Sequence, residues 1–490
     1  MTLAYFLTRV SGLSRELVSE EGKYLMPGRI FFLGQGFDLY HKPPLTSLLL
    51  GAFSFIGHDP VVGGRLVPFL VGLFVCLLPL LLTDSVVPSI LVLLSPFFLG
   101  ASAHMQTDPT VGLLGYGLAS AGIFLWYQSE GARGGAALVA GLFVLWLGKL
   151  EIAVIASTVL FLVTLALSPP QRPRLIRLSI ITTALGIVSF VLITWILGMT
   201  VGLGFPQSVG MVVRTVTRIS GGLVHEGMAD AGSNIARRLM LLSLLGAFQV
   251  NALFILALVP ILVSILLLGD ERRSFLPLFG ALFVAAFLPI FVYFAGCYLG
   301  DGFPRYFLIV FPPLLILLGF SLQHLSPQRR RYLGAGTVIL AMAFLLPDVM
   351  AVWKSPWSVN VGRGTGGYRQ ATDLVSFLTR PGDLILAPEM AMYSIPDRRW
   401  LVHEEFLPYP EKHQAALARA ADLRAAIVPR LPGGPKRYQS LLGQLVKAID
   451  EKGSKSFYYG PLEIVVVCPA NCRVPLPGPA ARTTAAAGPH

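Results

Sequence analysis

The sequence predicts a polytopic α-helical membrane protein of about 11 spans with a small α/β domain at its carboxy end. Three observations predict it. Apolar residues make up 54% of the 490 and charged residues only 13%, where a soluble domain carries about a quarter charged. The apolar residues come in blocks of roughly twenty, the length a helix needs to cross ~30 Å of hydrocarbon. Past Trp353 the blocks shorten, and charge, Gly and Pro rise.

Ten spans follow from the blocks: 60–82, 87–102, 110–127, 134–148, 152–168, 178–200, 245–268, 275–298, 305–323 and 332–351. Four connections carry arginine: Arg133; Arg172, Arg174 and Arg177; Arg272 and Arg273; Arg329, Arg330 and Arg331. Positive charge marks the cytoplasmic side, so the alternate connections 14–59, 103–109, 149–151, 201–244 and 299–304, and everything after 352, are expected outside. Thr2 to Leu13 is mainly apolar but too short to span. Because 14–59 is expected outside, the native product should begin upstream, or 1–13 should be the end of a helix. The net charge of +12 does not form one patch, which argues against nucleic acid as a partner. No internal repeat is apparent.

In the region 353–473, DLILA (383–387), WLV (400–402), AAIVP (425–429) and LEIVVV (462–467) read as short buried strands. Segments 367–379, 411–422 and 437–450 have helical spacing, and strands alternating with helices suggest an α/β domain. The Pro/Ala-rich tail 474–490 is expected to be disordered. Cys76 and Cys297 read as small core residues. Cys468 and Cys472, in CPANC on the outer side, are expected to form a disulfide.

The polar loop EEGKYLMPGRIFFLGQGFDLYHKPPL (20–45) is more than a connection requires. Glu20 or Glu21 could take a proton from an acceptor hydroxyl at the membrane boundary; a solvated acidic pair is the plain alternative. Pro43 and Pro44 fix the backbone beside Lys42, which could hold a phosphate at headgroup depth or simply snorkel. Asp108, before Pro109, is placed as a helix N-cap or as a carboxylate in the outer vestibule. Lys149 and Glu151 interrupt a long apolar stretch, at an outer turn or facing an aqueous cavity. Arg214 and Arg218 share one face of an expected amphipathic helix in loop 201–244, turned toward headgroups. His225-Glu226 is a weak metal signal. Arg305 and Tyr306 stand at the outer mouth of a span, as an interfacial belt or a phosphate clamp.

Their order is more telling than any one of them. Glu20-Glu21-Gly22-Lys23-Tyr24, then KPPL at 42–45, Gly64-Arg65-Leu66, an outer Asp108, Gly148-Lys149 and Arg305-Tyr306 resemble the GT-C membrane glycosyltransferases. Protein O-mannosyltransferases and lipid A aminoarabinose transferases are the nearest in pattern. The resemblance covers roughly 15–322, and HKPPL with the acidic pair upstream is its most specific part. It implies a GT-C-like fold with an outer catalytic loop at 14–59 in a domain spanning 1–352. Glu20 stands where the family has an aspartate base, one methylene longer, with Glu21 beside it in the substrate site. Lys42 matches the lysine associated with the lipid phosphate. Asp108 resembles a second outer acidic position, Lys149 a Gly-Lys element, and Arg305-Tyr306 an Arg-Tyr element. His41 replaces an acidic residue that can bind metal, so a divalent metal at His41, with His225 or Glu226, is the one cofactor suggested.

The function expected is inverting transfer of a sugar from a polyprenyl-phosphate donor to a lipid, glycan or protein acceptor at the outer face of the cytoplasmic membrane. The alternative is a transporter or flippase of a lipid-linked or small solute. A transporter would carry polar residues near the middle of several spans, whereas here they gather at the outer ends.

Overall fold

The computed structural model describes residues 1–10, 13, 21–34, 36–37, 43–57, 59–128, 131–166, 172–200, 202–210, 248–268, 272–296, 307–354, 368–380, 382–388, 391, 398–403, 407, 413–459 and 461–468. The chain divides into two compact units. The first comprises Met1–Arg15 and Gly36–Asn360, the second Glu16–Gln35 and Val361–His490. Residues 16–35 thus group with the carboxy-terminal residues, whereas the sequence kept 14–59 together as one loop.

The first unit is helical. Its described helices are α1 (Thr2–Arg9), α3 (Pro44–Phe53), α4 (Pro60–Thr83), α5 (Val86–Leu94), α6 (Pro96–Ala101), α7 (Leu113–Tyr127), α8 (Gly131–Gly148), α9 (Leu150–Ala166), α10 (Arg172–Met199), α11 (Phe248–Leu267), α12 (Arg272–Gly296), α13 (Phe311–Gln323) and α14 (Pro327–Lys354). A π-helical turn (Asp108–Gly112) leads into α7, and a 3₁₀ turn (Phe307–Val310) into α13. Among the described residues, five helices are long and apolar enough to cross a membrane: Pro60–Thr83, Pro109–Tyr127, Gly131–Gly148, Arg172–Met199 and Pro327–Met350. Others of the expected spans fall on shorter apolar helices, including Leu150–Thr164, Ala252–Leu267, Leu276–Pro289 and Phe307–Gln323.

Helix boundaries follow local chemistry. α4 starts at Pro60, with the Asp59 carboxylate accepting from the Val61 N–H at 2.8 Å, a side-chain cap ahead of a proline at the first helical position. It ends at Asp84, in the left-handed conformation (φ 50°). The expected span 87–102 is broken between α5 and α6, because Ser95 is extended ahead of Pro96. Pro96 has no N–H to offer the Val92 carbonyl four residues earlier. Arg9, buried on α1, donates to that carbonyl at 2.8 Å and lies 4.4 Å from the Tyr5 ring centroid. An ionisable residue in this setting is tolerated because backbone oxygen and an aromatic face meet its charge.

α7 and α8 pack antiparallel along a glycine seam. Gly115 and Gly122 on α7 lie seven residues apart; Gly134, Gly141 and Gly148 on α8 repeat the interval. A β-carbon on Gly141 would lie 2.6 Å from the Gly115 oxygen, and one on Gly122 2.9 Å from the Gly134 oxygen. Small residues let the two backbones approach where larger ones would hold them apart.

The second unit is a three-layer α/β/α sandwich. Its sheet has the order β2-β1-β3-β5-β4, with β1 (Leu384–Ala387), β2 (Arg399–Val402), β3 (Leu423–Pro429), β4 (Ser454–Tyr459) and β5 (Leu462–Val467). β2, β1 and β3 are parallel; β5 pairs antiparallel with β3 and β4. Residues of β1 alternate between the two cores: Ile385 and Ala387 face one, Leu384 and Leu386 the other. A strand buried on both faces reads as an unbroken apolar run. One face is covered by α15 (Tyr368–Leu378) through Ala371, Leu374 and Val375, and by α2 (Glu21–Phe32) through Met26 and Ile30. The other is covered by α16 (His413–Ala418) and α17 (Leu441–Asp450). Edge strand β4, SKSFYY, has no counterpart in the sequence reading, because an edge strand exposes polar residues.

Candidate functional site

In the first unit, four stretches of chain singled out by the sequence converge at one end of the helices. The π-helical turn opened by Asp108 packs against α3, α4, α8 and the 3₁₀ turn. α3 begins directly after Lys42-Pro43, with Pro44 at its first position and no side-chain cap. The break between α8 and α9 holds Lys149. The 3₁₀ turn directly follows Arg305-Tyr306.

Packing explains the convergence. Leu45 of α3 and Leu150 of α9 pack against Leu147 of α8 and Phe190 of α10 in one apolar cluster. The glycine seam puts the start of α7 beside the end of α8: a β-carbon on Gly148 would meet the Val111 side chain at 2.4 Å. The Thr107 carbonyl accepts from the Gly112 N–H at 2.9 Å, which closes the wide turn, and Pro109 within it has no N–H to donate. Phe311, after the 3₁₀ turn, stacks edge-on with Phe98 at 5.6 Å.

Lys149 is 13% exposed, and its ammonium lies 3.8 Å from the Glu151 carboxylate, which is 43% exposed. The backbone holds it from both sides: its N–H donates to the Leu145 carbonyl and its carbonyl accepts from Ala153. Asp108 is placed by its backbone as the first residue of the π-helical turn. Glu21 is in the second unit, fully buried at the first position of α2. Glu20, His41, Lys42, Arg214, Arg218, His225, Glu226, Arg305 and Tyr306 lie outside the described residues. The metal expectation at His41, His225 and Glu226 lies there with them. Among the described residues, no group of three or more His, Cys, Asp or Glu is arranged to hold a metal ion. Cys468 is disulfide-bonded; Cys472, its expected partner, is outside the described residues.

Sequence reasoning missed three threonines. Most helical hydroxyls in this unit return to the carbonyl one turn earlier, as Ser120 does to Tyr116, Thr182 to Leu178 and Thr337 to Leu333. Thr46 on α3, Thr107 beside the π-helical turn and Thr194 on α10 are at most 3% exposed, and their hydroxyls have no partner among the described residues. Thr46 adjoins Leu45, and Thr194 follows Phe190 by one turn, so both flank the apolar cluster. A lone threonine in an apolar helix carries no signal in sequence.

No protein-family model matches this sequence, and no curated protein does. Among solved structures, the chain is similar to the crystal structure of ArnT from Cupriavidus metallidurans bound to undecaprenyl phosphate. The identity is 14% and the TM-score 0.59, over 96% of this chain and 97% of that one. The chain therefore has the fold of the GT-C membrane glycosyltransferases, as the order of its outer-loop motifs predicts.

Proposed function

We propose that this protein transfers a sugar from a polyprenyl-phosphate donor to an acceptor hydroxyl at the outer membrane face, with inversion. The observation that carries the reading is the convergence, at one end of the first unit, of the elements next to Lys42, Asp108, Lys149 and Arg305-Tyr306. The similarity to the ArnT structure bound to undecaprenyl phosphate supports a polyprenyl-phosphate donor.

A sugar on a lipid phosphate already has a good leaving group. The protein has to hold that phosphate, align an acceptor oxygen with the anomeric carbon and take its proton. By the sequence pattern, Glu20 takes the proton and Asp108 orients the acceptor. The acceptor oxygen bonds to the anomeric carbon as the bond from that carbon to the phosphate oxygen breaks, and polyprenyl phosphate leaves. Lys42 and Arg305 offset the charge gathering on the phosphate, with Tyr306, Lys149, Arg214 and Arg218 as further polar contacts.

Purified protein incubated with a panel of polyprenyl-phosphate sugars should release polyprenyl phosphate and glycosylate an acceptor. Glu20→Gln should lower turnover about 10²-fold or more, the scale of a lost general base, with donor binding intact. Lys42→Ala should instead weaken donor binding. If Glu20→Gln, Asp108→Asn, Lys42→Ala and Arg305→Ala all leave transfer untouched in folded protein, the assignment is wrong.

A further inference from the structure

A cavity of about 360 Å³ opens between α11 and α14. It is lined by Ile255, Leu256 and Val259 of α11 and by Leu333, Gly336 and Leu340 of α14, and it extends from Tyr332 to Phe344. At 1.5 Å per residue the groove is roughly 18 Å long, close to one leaflet of a ~30 Å hydrocarbon core. Gly336 keeps it open, since a β-carbon there would meet nothing within 4 Å.

The two ends of the groove differ. Phe344 lies toward mid-span, whereas Tyr332 directly follows Arg329-Arg330-Arg331 on the side where positive charge gathers. Arg329 donates to the carbonyl of Leu267, the last residue of α11, at 3.0 Å. That bond fixes a guanidinium between the two helix ends, at the mouth of the groove, and a cation there also suits the negative end of the α11 dipole. Arg330 is engaged elsewhere, on the Asp84 carbonyl at 3.0 Å. Arg329, Arg331 and Tyr332 remain exposed, with guanidinium and phenol donors at headgroup depth.

We propose that the groove between α11 and α14 binds an anionic phospholipid of the cytoplasmic leaflet, its acyl chain along Leu333–Phe344 and its phosphate against Arg329, Arg331 and Tyr332. The length of the groove limits the occupant to one leaflet, and the charge at the mouth selects an acidic headgroup. This end of the bundle is opposite to the outer ends where the donor is proposed to react, so the lipid is structural or regulatory and not a substrate.

Native mass spectrometry of the full chain in detergent tests the assignment, with phosphatidylglycerol, phosphatidylcholine and a polyprenyl phosphate as probes. Wild type should retain one phosphatidylglycerol about tenfold or more in preference to phosphatidylcholine, the scale expected for two arginines near a headgroup. Arg329→Gln with Arg331→Gln should erase the preference but keep chain binding. Gly336→Leu should lose both phospholipids with an unchanged melting temperature, and Leu340→Trp serves if that variant misfolds. Equal retention of the two phospholipids by wild type overturns the proposal. So does undiminished retention in folded Gly336→Leu or Leu340→Trp, or displacement of phosphatidylglycerol by the polyprenyl phosphate.

Discussion

A single methyl group on the α7–α8 seam should have a measurable cost. In Gly141→Ala the new β-carbon would sit 2.6 Å from both the Ala119 nitrogen and the Gly115 oxygen, where ordinary contact starts at 3.4 Å. Both neighbours are backbone, so no side chain can swing aside. The helices must part by roughly 0.8 Å, and a gap of that size forfeits a quarter to a half of each contact's attraction along the seam. Overpacking of this kind costs about 1–3 kcal/mol, against about 0.5–1 kcal/mol gained by replacing glycine inside a helix. Gly280→Ala on α12 is the matched control, because its β-carbon meets nothing within 4 Å and only the helix gain applies. The two variants should therefore differ by about 1–3 kcal/mol, read as separated apparent melting temperatures in detergent. Gly141→Ala should also impair the proposed transfer, since the seam ends at the π-helical turn and at Lys149. If Gly141→Ala melts at or above Gly280→Ala, the close approach of α7 and α8 is wrong.

His403, which follows β2, is buried, and its imidazole pKa is pushed down to about 3 by desolvation. Unfolded histidine titrates near 6.5, so the neutral folded form contributes stability above that pH and loses it as pH falls toward 3. His403→Gln should flatten the decline in melting temperature between about pH 6.5 and 4, and parallel profiles would count against a buried neutral His403. Fully buried Glu463 accepts from Arg437 at 2.6 Å and from the Leu431 N–H at 3.3 Å. Glu463→Gln should cost about 1.5–3 kcal/mol, toward the low end because Arg437 keeps Asp450 at 3.6 Å and is 17% exposed; a double-mutant cycle with Arg437→Met measures the coupling. Alkaline phosphatase fused near Gly366 should be active and a fusion near Arg330 inactive, and the reverse pattern would invert the orientation with the donor side.

Composition and periodicity by themselves determined the class of this protein. A run such as 60–82 is apolar over twenty-odd residues, a length that matches the bilayer whatever the tertiary arrangement. β1, β3 and β5 were legible for a related reason, because strands covered on both faces are mainly apolar, and the GT-C pattern was legible in the order of the outer-loop motifs. Tertiary structure decided what depends on neighbours distant in sequence. Gly115 and Gly141 form a seam only because α8 returns antiparallel to α7. Arg9, an oddity in an apolar run, acquires a reason once the Val92 carbonyl, which Pro96 cannot serve and the Ser95 N–H reaches only at 3.3 Å, lies beside it. The segment that begins at the acidic pair reads as a membrane loop, yet Met26 and Ile30 complete the core of the α/β sheet. The hydroxyls of Thr46, Thr107 and Thr194 are ordinary in the sequence; packing α3, the π-helical turn and α10 leaves them buried without a partner among the described residues. Local propensity is written residue by residue, whereas the satisfaction of a buried polar atom depends on which distant backbone arrives next to it.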